Sequence, residues 1–559
     1  MGLPPILSGL IGAFAACRSG PPPAAGGLAA AHAREGDDPI VARGILRRDG
    51  EGIVDATGRP VRWVGVAFGN QVWSDRPLPV TDHDEADFSR LRAMGMNAAR
   101  FYMHDRTLED DSAPGVFKQA GWEWLDRNVM WARRHGVYLI LNLHVPPGGY
   151  QSNGEGAALW ESRAAQERVV MLWRAIAARY ANEAIIGGYD ILNEPGVSTS
   201  RAQWTSLATR VAKAIRQVDP HHIIIVERVN SVAQEWKNDA DMNFVLIDDP
   251  NVVYTFHFYD PLTYTHQFAS WVHYGEGGRW PDDAKVGRSE YADWPTVATF
   301  DSARLSAGDS PWTRAVTEPR VTSDGGATVG HIALVGSRVG AGLAAFDDLI
   351  VTERDERGVV VNVLRTDPQN VPGWRFRSKN SSGRAQSIAD GHDSPGALAI
   401  EGTTDDADLG LMQHEFRIMP RHSYTVTGWM RGQRLPPDAV VRIRLELIRT
   451  DGPLLGWNKT FLRTQLDRYL AWGHAHGVPL FLGEFGVHRP CFENDRGGLA
   501  WVEDVLDLAD ERGLSFTYHD YHDDSFGLYL GDGGVDPARA NHALIGLFKR
   551  KLLPRVPGN

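Results

Sequence analysis

A closed barrel of eight parallel strands alternating with helices, interrupted by an inserted β-sandwich, is the fold class this sequence predicts. Two observations predict it. Eight apolar, β-rich runs alternate with amphipathic stretches along the 559-residue chain, the pattern of βα units wound around a parallel sheet. Residues 296–455 break that alternation with short runs of period two between Gly, Asp and Pro clusters, the pattern of an antiparallel sandwich.

The runs follow in order. VRWVGVAFGN (Val61 to Asn70), NAARFYM (Asn97 to Met103), VYLILNLHV (Val137 to Val145) and IIGGYDILNEP (Ile185 to Pro195) give strands one to four. HIIIVERV (His222 to Val229), VVYTFHFYDP (Val252 to Pro261), PLFLGEFGV (Pro479 to Val487) and LSFTYHDY (Leu514 to Tyr521) give strands five to eight. Between the third and fourth, Val169, Leu172, Trp173, Ile176 and Tyr180 recur at three- and four-residue steps, the apolar stripe of a helix that packs on a sheet. The expected organisation is a leader over 1–38, a barrel over 39–295 and 456–559, and the sandwich over 296–455 between them.

Polar side chains gather where the apolar runs stop, which is where barrel enzymes carry their chemistry. They are Asn70, Arg100, His144, Asn193 with Glu194, His257 with Tyr259, Glu484, and His519. Glu194 and Glu484 are far apart in the chain, yet a closed barrel brings the ends of their strands together. Two facing carboxyl groups are what glycosidic cleavage through an oxocarbenium-like transition state requires. Neighbouring histidines suggest no metal: His474 and His476 point to different faces of a helix, and His519 with His522 lacks the ligand set of a zinc site.

Together these residues resemble glycoside hydrolase family 5, the cellulase family of retaining (β/α)8 barrels. The family's acid/base motif matches Asn193, Glu194 and Pro195, and its nucleophile motif matches Gly483, Glu484, Phe485 and Gly486. Its arginine, histidine and His-x-Tyr positions match Arg100, His144, and His257 with Tyr259. The stretch after strand six, with Thr265, His266, Gln267 and Trp271, is similar to a segment of several endo-β-glucanases of the family. The resemblance implies Glu194 as acid/base and Glu484 as nucleophile. Substrate-binding roles fall to Arg100, His144, Asn193, His257, Tyr259 and His519. The implied activity is a retaining endo-β-1,4-glucanase without a cofactor. A β-mannanase or dual enzyme shares those motifs, and a non-catalytic carbohydrate-binding protein is the alternative of another class. One departure is visible: where the family often carries a stacking tryptophan at the end of strand eight, this chain offers Tyr518, His519 and Tyr521.

The inserted segment resembles jelly-roll carbohydrate-binding modules, through SYTVTGWMRG and FDDLIVTE. Trp374 and Trp429 are its candidate core tryptophans. Acidic residues number 70 against 58 basic ones, a net charge of −12, which argues against a nucleic-acid partner and suits a neutral β-glucan or related plant polysaccharide. A monomer is expected. The first twenty residues are a short apolar stretch ending near Cys17, too short for a membrane span. They read as a bacterial export signal, cleaved or lipidated at Cys17, so the product is expected to be secreted or held at the cell surface. With only Cys17 and Cys491 present, no disulfide framework forms, and Cys491 is expected as a buried free thiol.

Overall fold

The computed structural model describes residues 43–554 apart from 75–82, 153–155, 235–237, 273–276, 289–295, 318–319, 322–325, 367–373, 381, 412–415, 450–453 and 532–533. The expected leader with Cys17 lies outside the described residues. No helix among those described is long and apolar enough to cross a membrane.

Eight parallel strands close a barrel in sequence order. They are β1 (Val64–Phe68), β2 (Ala98–His104), β3 (Tyr138–Val145), β4 (Ile186–Asp190), β5 (Ile224–Glu227), β6 (Val252–Phe258), β7 (Leu480–Phe485) and β8 (Ser515–Tyr518). All but β2 lie within the predicted runs, and β2 extends one residue past its run, to His104. Parallel strands are covered on both faces, so their sequences are nearly continuous apolar stretches rather than alternating ones. The outer layer contains α1 (Glu85–Ala93), α2 (Gln119–His135), α3 (Arg163–Tyr180), α4 (Arg201–Arg216), α5 (Lys459–His476), α6 (Gly498–Glu511) and α7 (His542–Leu552). In α3, Val169, Leu172, Trp173, Ile176 and Tyr180 are all buried, as their spacing predicts.

The fifth βα unit departs from the repeat. Among the described residues no helix follows β5. Ser231–Val232 instead pairs with Gly196–Val197, and Phe244, Val245 and Ile247 fill that side of the core.

The sandwich comprises two antiparallel sheets. Ser423–Leu435 and Leu343–Arg354 form the centre of one, and Val440–Ile448 with Val329–Ser337 the centre of the other. Leu334, Phe346, Trp374, Val426 and Ile443 belong to a core separate from that of the barrel. Trp429 does not join that core. Along Ser423–Leu435 the buried positions alternate with half-buried ones, so Trp429 lies on the outer face, where the His392 ring stacks on it at 3.7 Å.

Sheet pairing begins before residue 296. Asp282–Arg288 runs antiparallel to Leu454–Trp457, with Gly287 facing Leu455. This pair joins sandwich to barrel. Trp280 at its base donates from Nε1 to Asp504 on α6 at 3.0 Å, and Lys285 lies over the Trp457 ring. Asn458 then caps α5 by accepting from the Thr460 and Phe461 amides, so α5 starts directly where the sandwich ends.

Candidate active site

The C-terminal ends of β2, β4, β6 and β7 converge on one buried network. At its centre is Arg100 on β2, fully buried. Its Nε donates to Asp190 at 2.7 Å, Nη2 to Asn193 Oδ1 at 3.0 Å and Nη1 to Glu484 Oε1 at 2.5 Å. A guanidinium has enough donors in a planar fork to hold three partners at once.

Glu484 accepts three donors. Besides Arg100, the Tyr102 hydroxyl donates to Oε1 at 2.7 Å and the Tyr259 hydroxyl to Oε2 at 2.9 Å. The register explains why His257 is also close: across the β6–β7 pair His257 lies opposite Glu484, with Nδ1 3.4 Å from Oε2. Gly483 permits this approach, since a Cβ there would lie 2.5 Å from Thr255 Oγ1. Burial pushes the Glu484 carboxyl up, but the facing groups, His257 first and then His519 and Arg100, outweigh it and hold it well below the ordinary range. The result is an ionised carboxylate with fixed donors. Burial, reinforced by Glu484, pushes Tyr102 and Tyr259 well up, so both stay protonated as donors.

Glu194 is placed differently. Its backbone has a φ of 43°, a left-handed conformation that costs a non-glycine residue about 1 kcal/mol or more. Its N–H donates to Glu227 Oε2 at 2.9 Å. Its carboxyl has a single ring partner, His257 Nδ1 at 2.7 Å from Oε1. Burial alone would push His257 down, but Glu227, Glu484 and Glu194 around it push it up. Burial also pushes Glu227 up, against the pull of His257. Glu194, Glu227 and His257 bring three potential ligand atoms within 4.8 Å, with Glu194 hydrogen-bonded to His257 Nδ1 at 2.7 Å and Glu227 facing Nε2 at 3.4 Å.

Every expected site residue lies in or beside this network. Asn193 accepts from Arg100 and turns Nδ2 to Ser152 at 3.3 Å. His144 stacks on Tyr102 at 4.0 Å, and burial pushes it well below its ordinary value, leaving a neutral ring. His519 Nδ1 is 3.1 Å from the Tyr102 hydroxyl, and Asn70 holds the Tyr102 carbonyl. The other strand-eight rings do not reach the cleft. Tyr518 is buried with its hydroxyl on the Phe526 carbonyl, and Tyr521 donates to Asp87 at 2.6 Å. His474 and His476 bond Glu51 and the Trp472 carbonyl separately. Cys491 is a buried free thiol, pushed by burial up to about 12.

Four contributors were not among the expected residues. Tyr102, Asp190 and Glu227 are buried partners within or at the end of strands, and Glu227 ends β5 in the position the strand-end pattern marks. The fourth is Trp73 in the loop after β1. It is 49% exposed and stands 6.5 Å from both His144 and His519. Gly69 makes room for it, because a Cβ there would meet the indole at 2.8 Å. Beyond it lies a cavity of about 490 Å3 lined by residues including Trp73, Tyr150, His104 and Arg106. Trp271, 53% exposed, stands beside His266 and His488 after β6. Rings connect the two tryptophans through His519 and Phe526.

Residues 54–297 match the family model described as Cellulase (glycosyl hydrolase family 5). Over those residues the barrel is similar to the cellulase family. Endoglucanase C of Acetivibrio thermocellus is 32% identical over 188 residues, 34% of this chain and 53% of the relative. Cellodextrinase A of Ruminococcus flavefaciens is 27% identical over 192 residues, 34% of this chain and 54% of the relative. A Beta-xylosidase of Phanerodontia chrysosporium is 33% identical over 163 residues, 28% of this chain and 34% of the relative. The chain thus spans about half the length of the first two and about a third of the last. The cellulase-family match ends at residue 297, so it covers β1 to β6 with Glu194 and His257 and stops short of Glu484.

Proposed function

We propose that the protein is a retaining endo-β-1,4-glucanase, with Glu484 as nucleophile and Glu194 as acid/base. One observation carries the retaining reading. A single nitrogen, His257 Nδ1, lies 2.7 Å from a Glu194 oxygen and 3.4 Å from a Glu484 oxygen. The two oxygens are therefore at most about 6 Å apart, which favours the short carboxyl separation of retaining enzymes over the wider one that leaves room for a water.

Glu484, ionised and held by Arg100, Tyr102 and Tyr259, attacks the anomeric carbon. Glu194 protonates the departing glycosidic oxygen. The glycosyl–Glu484 ester is then hydrolysed by a water that Glu194 deprotonates, and each carboxyl returns to its starting state. Asn193 presents Nδ2 to the sugar 2-hydroxyl, and His144 and His519 line the same sugar. Trp73 and Trp271 supply exposed indole faces on which sugar CH surfaces stack. An aromatic face on each of two loops, with a cavity beyond Trp73, suits a long chain bound along the cleft and hence internal cleavage.

An NMR time course on a soluble cello-oligosaccharide tests the mechanism. The first product is expected as the β-anomer, and the α-anomer would overturn the reading. Initial rates on carboxymethylcellulose, barley β-glucan, glucomannan and galactomannan decide the substrate. Fastest turnover of galactomannan would make the protein a mannanase, and binding to β-glucans or mannans without hydrolysis of any would make it a carbohydrate-binding protein.

A further inference from the structure

The buried carboxyl at the end of β5 is left without a task by the two-glutamate scheme. Glu227 makes two links to the acid/base side of the site. Its Oε2 accepts the Glu194 backbone N–H at 2.9 Å, and the same oxygen is 3.4 Å from His257 Nε2. That nitrogen is buried with no hydrogen-bond partner among the described residues. On its other side the ring meets Glu194 Oε1 at 2.7 Å. A carboxyl, an imidazole and a second carboxyl thus stand in a row.

We propose that Glu227 is a positioning residue for Glu194: it fixes the left-handed backbone that aims the acid/base carboxyl, and it keeps the His257 ring proton that faces Glu194 in place at higher pH. This inference rests on the reading of Glu194 as acid/base. The backbone link offsets the cost of a positive φ at a residue with a side chain. The electrostatic link follows from sign. A carboxylate beside Nε2 stabilises the ring with both N–H groups, so Nδ1–H remains available to the Glu194 carboxyl. Other charged groups facing the row are Arg100 from β2, 3.8 Å from Glu227, Asp190 from β4 and Glu484 from β7. Arg100 is committed to Asp190 and Glu484 at shorter range, which leaves Glu227 as the carboxyl that faces Nε2. Glu227 and His257 are coupled through this contact, and removing the carboxylate removes its hold on the ring proton.

Glu227→Gln tests this, because a glutamine oxygen still accepts the Glu194 N–H while the charge is lost. On cellotetraose, whose leaving group needs a proton, the alkaline limb of kcat/KM is expected to move down by about one pH unit with KM unchanged. On 2,4-dinitrophenyl cellobioside, whose leaving group needs none, the limb is expected to stay. Glu227→Asp, which keeps the charge but withdraws it, is expected to shift the limb less and in the same direction. A Glu227→Gln profile that superimposes on the wild type, or an equal loss at every pH on both substrates, would overturn the inference. A second readout needs no turnover. In 15N-imidazole NMR, with His257 assigned through His257→Asn, the ring is expected to lose its second proton at lower pH in Glu227→Gln than in the wild type, and in Glu227→Asp if the glutamine variant does not fold. Identical titration refutes the role of Glu227. A wild type that hydrolyses no β-glycoside refutes the glucanase reading instead, and the NMR shift still decides the coupling.

Discussion

The two sides of the cleft floor hold the same chemical group in opposite ways. On the β7 side, Glu484 is clamped by an arginine and two tyrosines whose own partners are buried. On the β4 side, Glu194 sits on a left-handed backbone and touches one titratable ring. A carboxyl that must stay ionised and attack along a fixed line gains from many rigid donors. One that must gain and lose a proton in each cycle needs a single partner that itself exchanges protons. The difference in surroundings supports the proposed roles without recourse to motif order.

The largest effect should come from exchanging each carboxyl for its amide. Glu484→Gln removes the proposed nucleophile and is expected to lower kcat on every substrate by on the order of 10^5-fold. Glu194→Gln is expected to lose about 10^2- to 10^4-fold on cello-oligosaccharides but far less of kcat/KM on 2,4-dinitrophenyl cellobioside. Added azide should then restore turnover of the activated substrate in Glu194→Gln alone, with β-glycosyl azide as product. The reverse pattern would swap the assignments.

Arg100 is where the comparison bears on stability as well as rate. Arg100→Met leaves Asp190 buried without its partner, and breaking a buried ion pair in this way costs about 3–5 kcal/mol. A urea titration measures it. The sign for catalysis follows from Glu484, whose folded value lies well below its unfolded one. That ionised carboxylate contributes stability above the unfolded value, and the contribution is lost as pH falls through the folded value. Removing Arg100 raises the folded value, so the acid limb of kcat/KM should move to higher pH. An unmoved limb would show that His257 and His519 suffice.

Most of the barrel was legible in the sequence because strands covered on both faces leave long apolar runs, and Arg100, Asn193, Glu194, His257, Tyr259 and Glu484 lie in or directly after them. Less visible were the groups that serve those residues. Asp190 and Tyr102 sit inside runs whose other members are core, and nothing in spacing separates a buried partner from a buried filler. Glu227 was in plain view at a strand end, but without a motif around it. The absence of a helix between β5 and β6 among the described residues has no signature, because Phe244, Val245 and Ile247 pack from an irregular segment. For Trp429 the signal was present: the period of two in SYTVTGWMRG puts it on the face opposite Tyr424, Val426 and Met430, hence outside the core.

Trp73 and Trp271 extend the comparison outward, since neither touches a carboxyl. Replacing either with Ala is expected to raise KM on cellohexaose by roughly 3- to 10-fold, the worth of one aromatic face, with kcat nearly constant. A fall in kcat with unchanged KM would mean that the ring shapes the transition state, not the bound chain.

The smallest effect on the chemistry should come from the sandwich. Gly287 and Leu455 face each other across an antiparallel pair, so a two-residue Asn-Gly turn can join them in place of everything between. That excision removes Trp429 and the His392 ring that covers it, and leaves Trp280, Trp457 and the Asn458 cap of α5 in the barrel. Turnover of a short aryl cellobioside is expected to stay within about twofold, because the excised residues supply none of the donors to Glu194 or Glu484. The informative quantity is the ratio of polymer to aryl-cellobioside rates. If the sandwich binds glucan, that ratio falls, since only a long chain reaches past the barrel. If it is a buttress, the ratio holds while the melting temperature drops. The covered face of Trp429 favours the second outcome, and His392→Ala in the intact chain would sharpen it by uncovering the indole: a gain in affinity for insoluble cellulose would show that the face binds sugar once exposed.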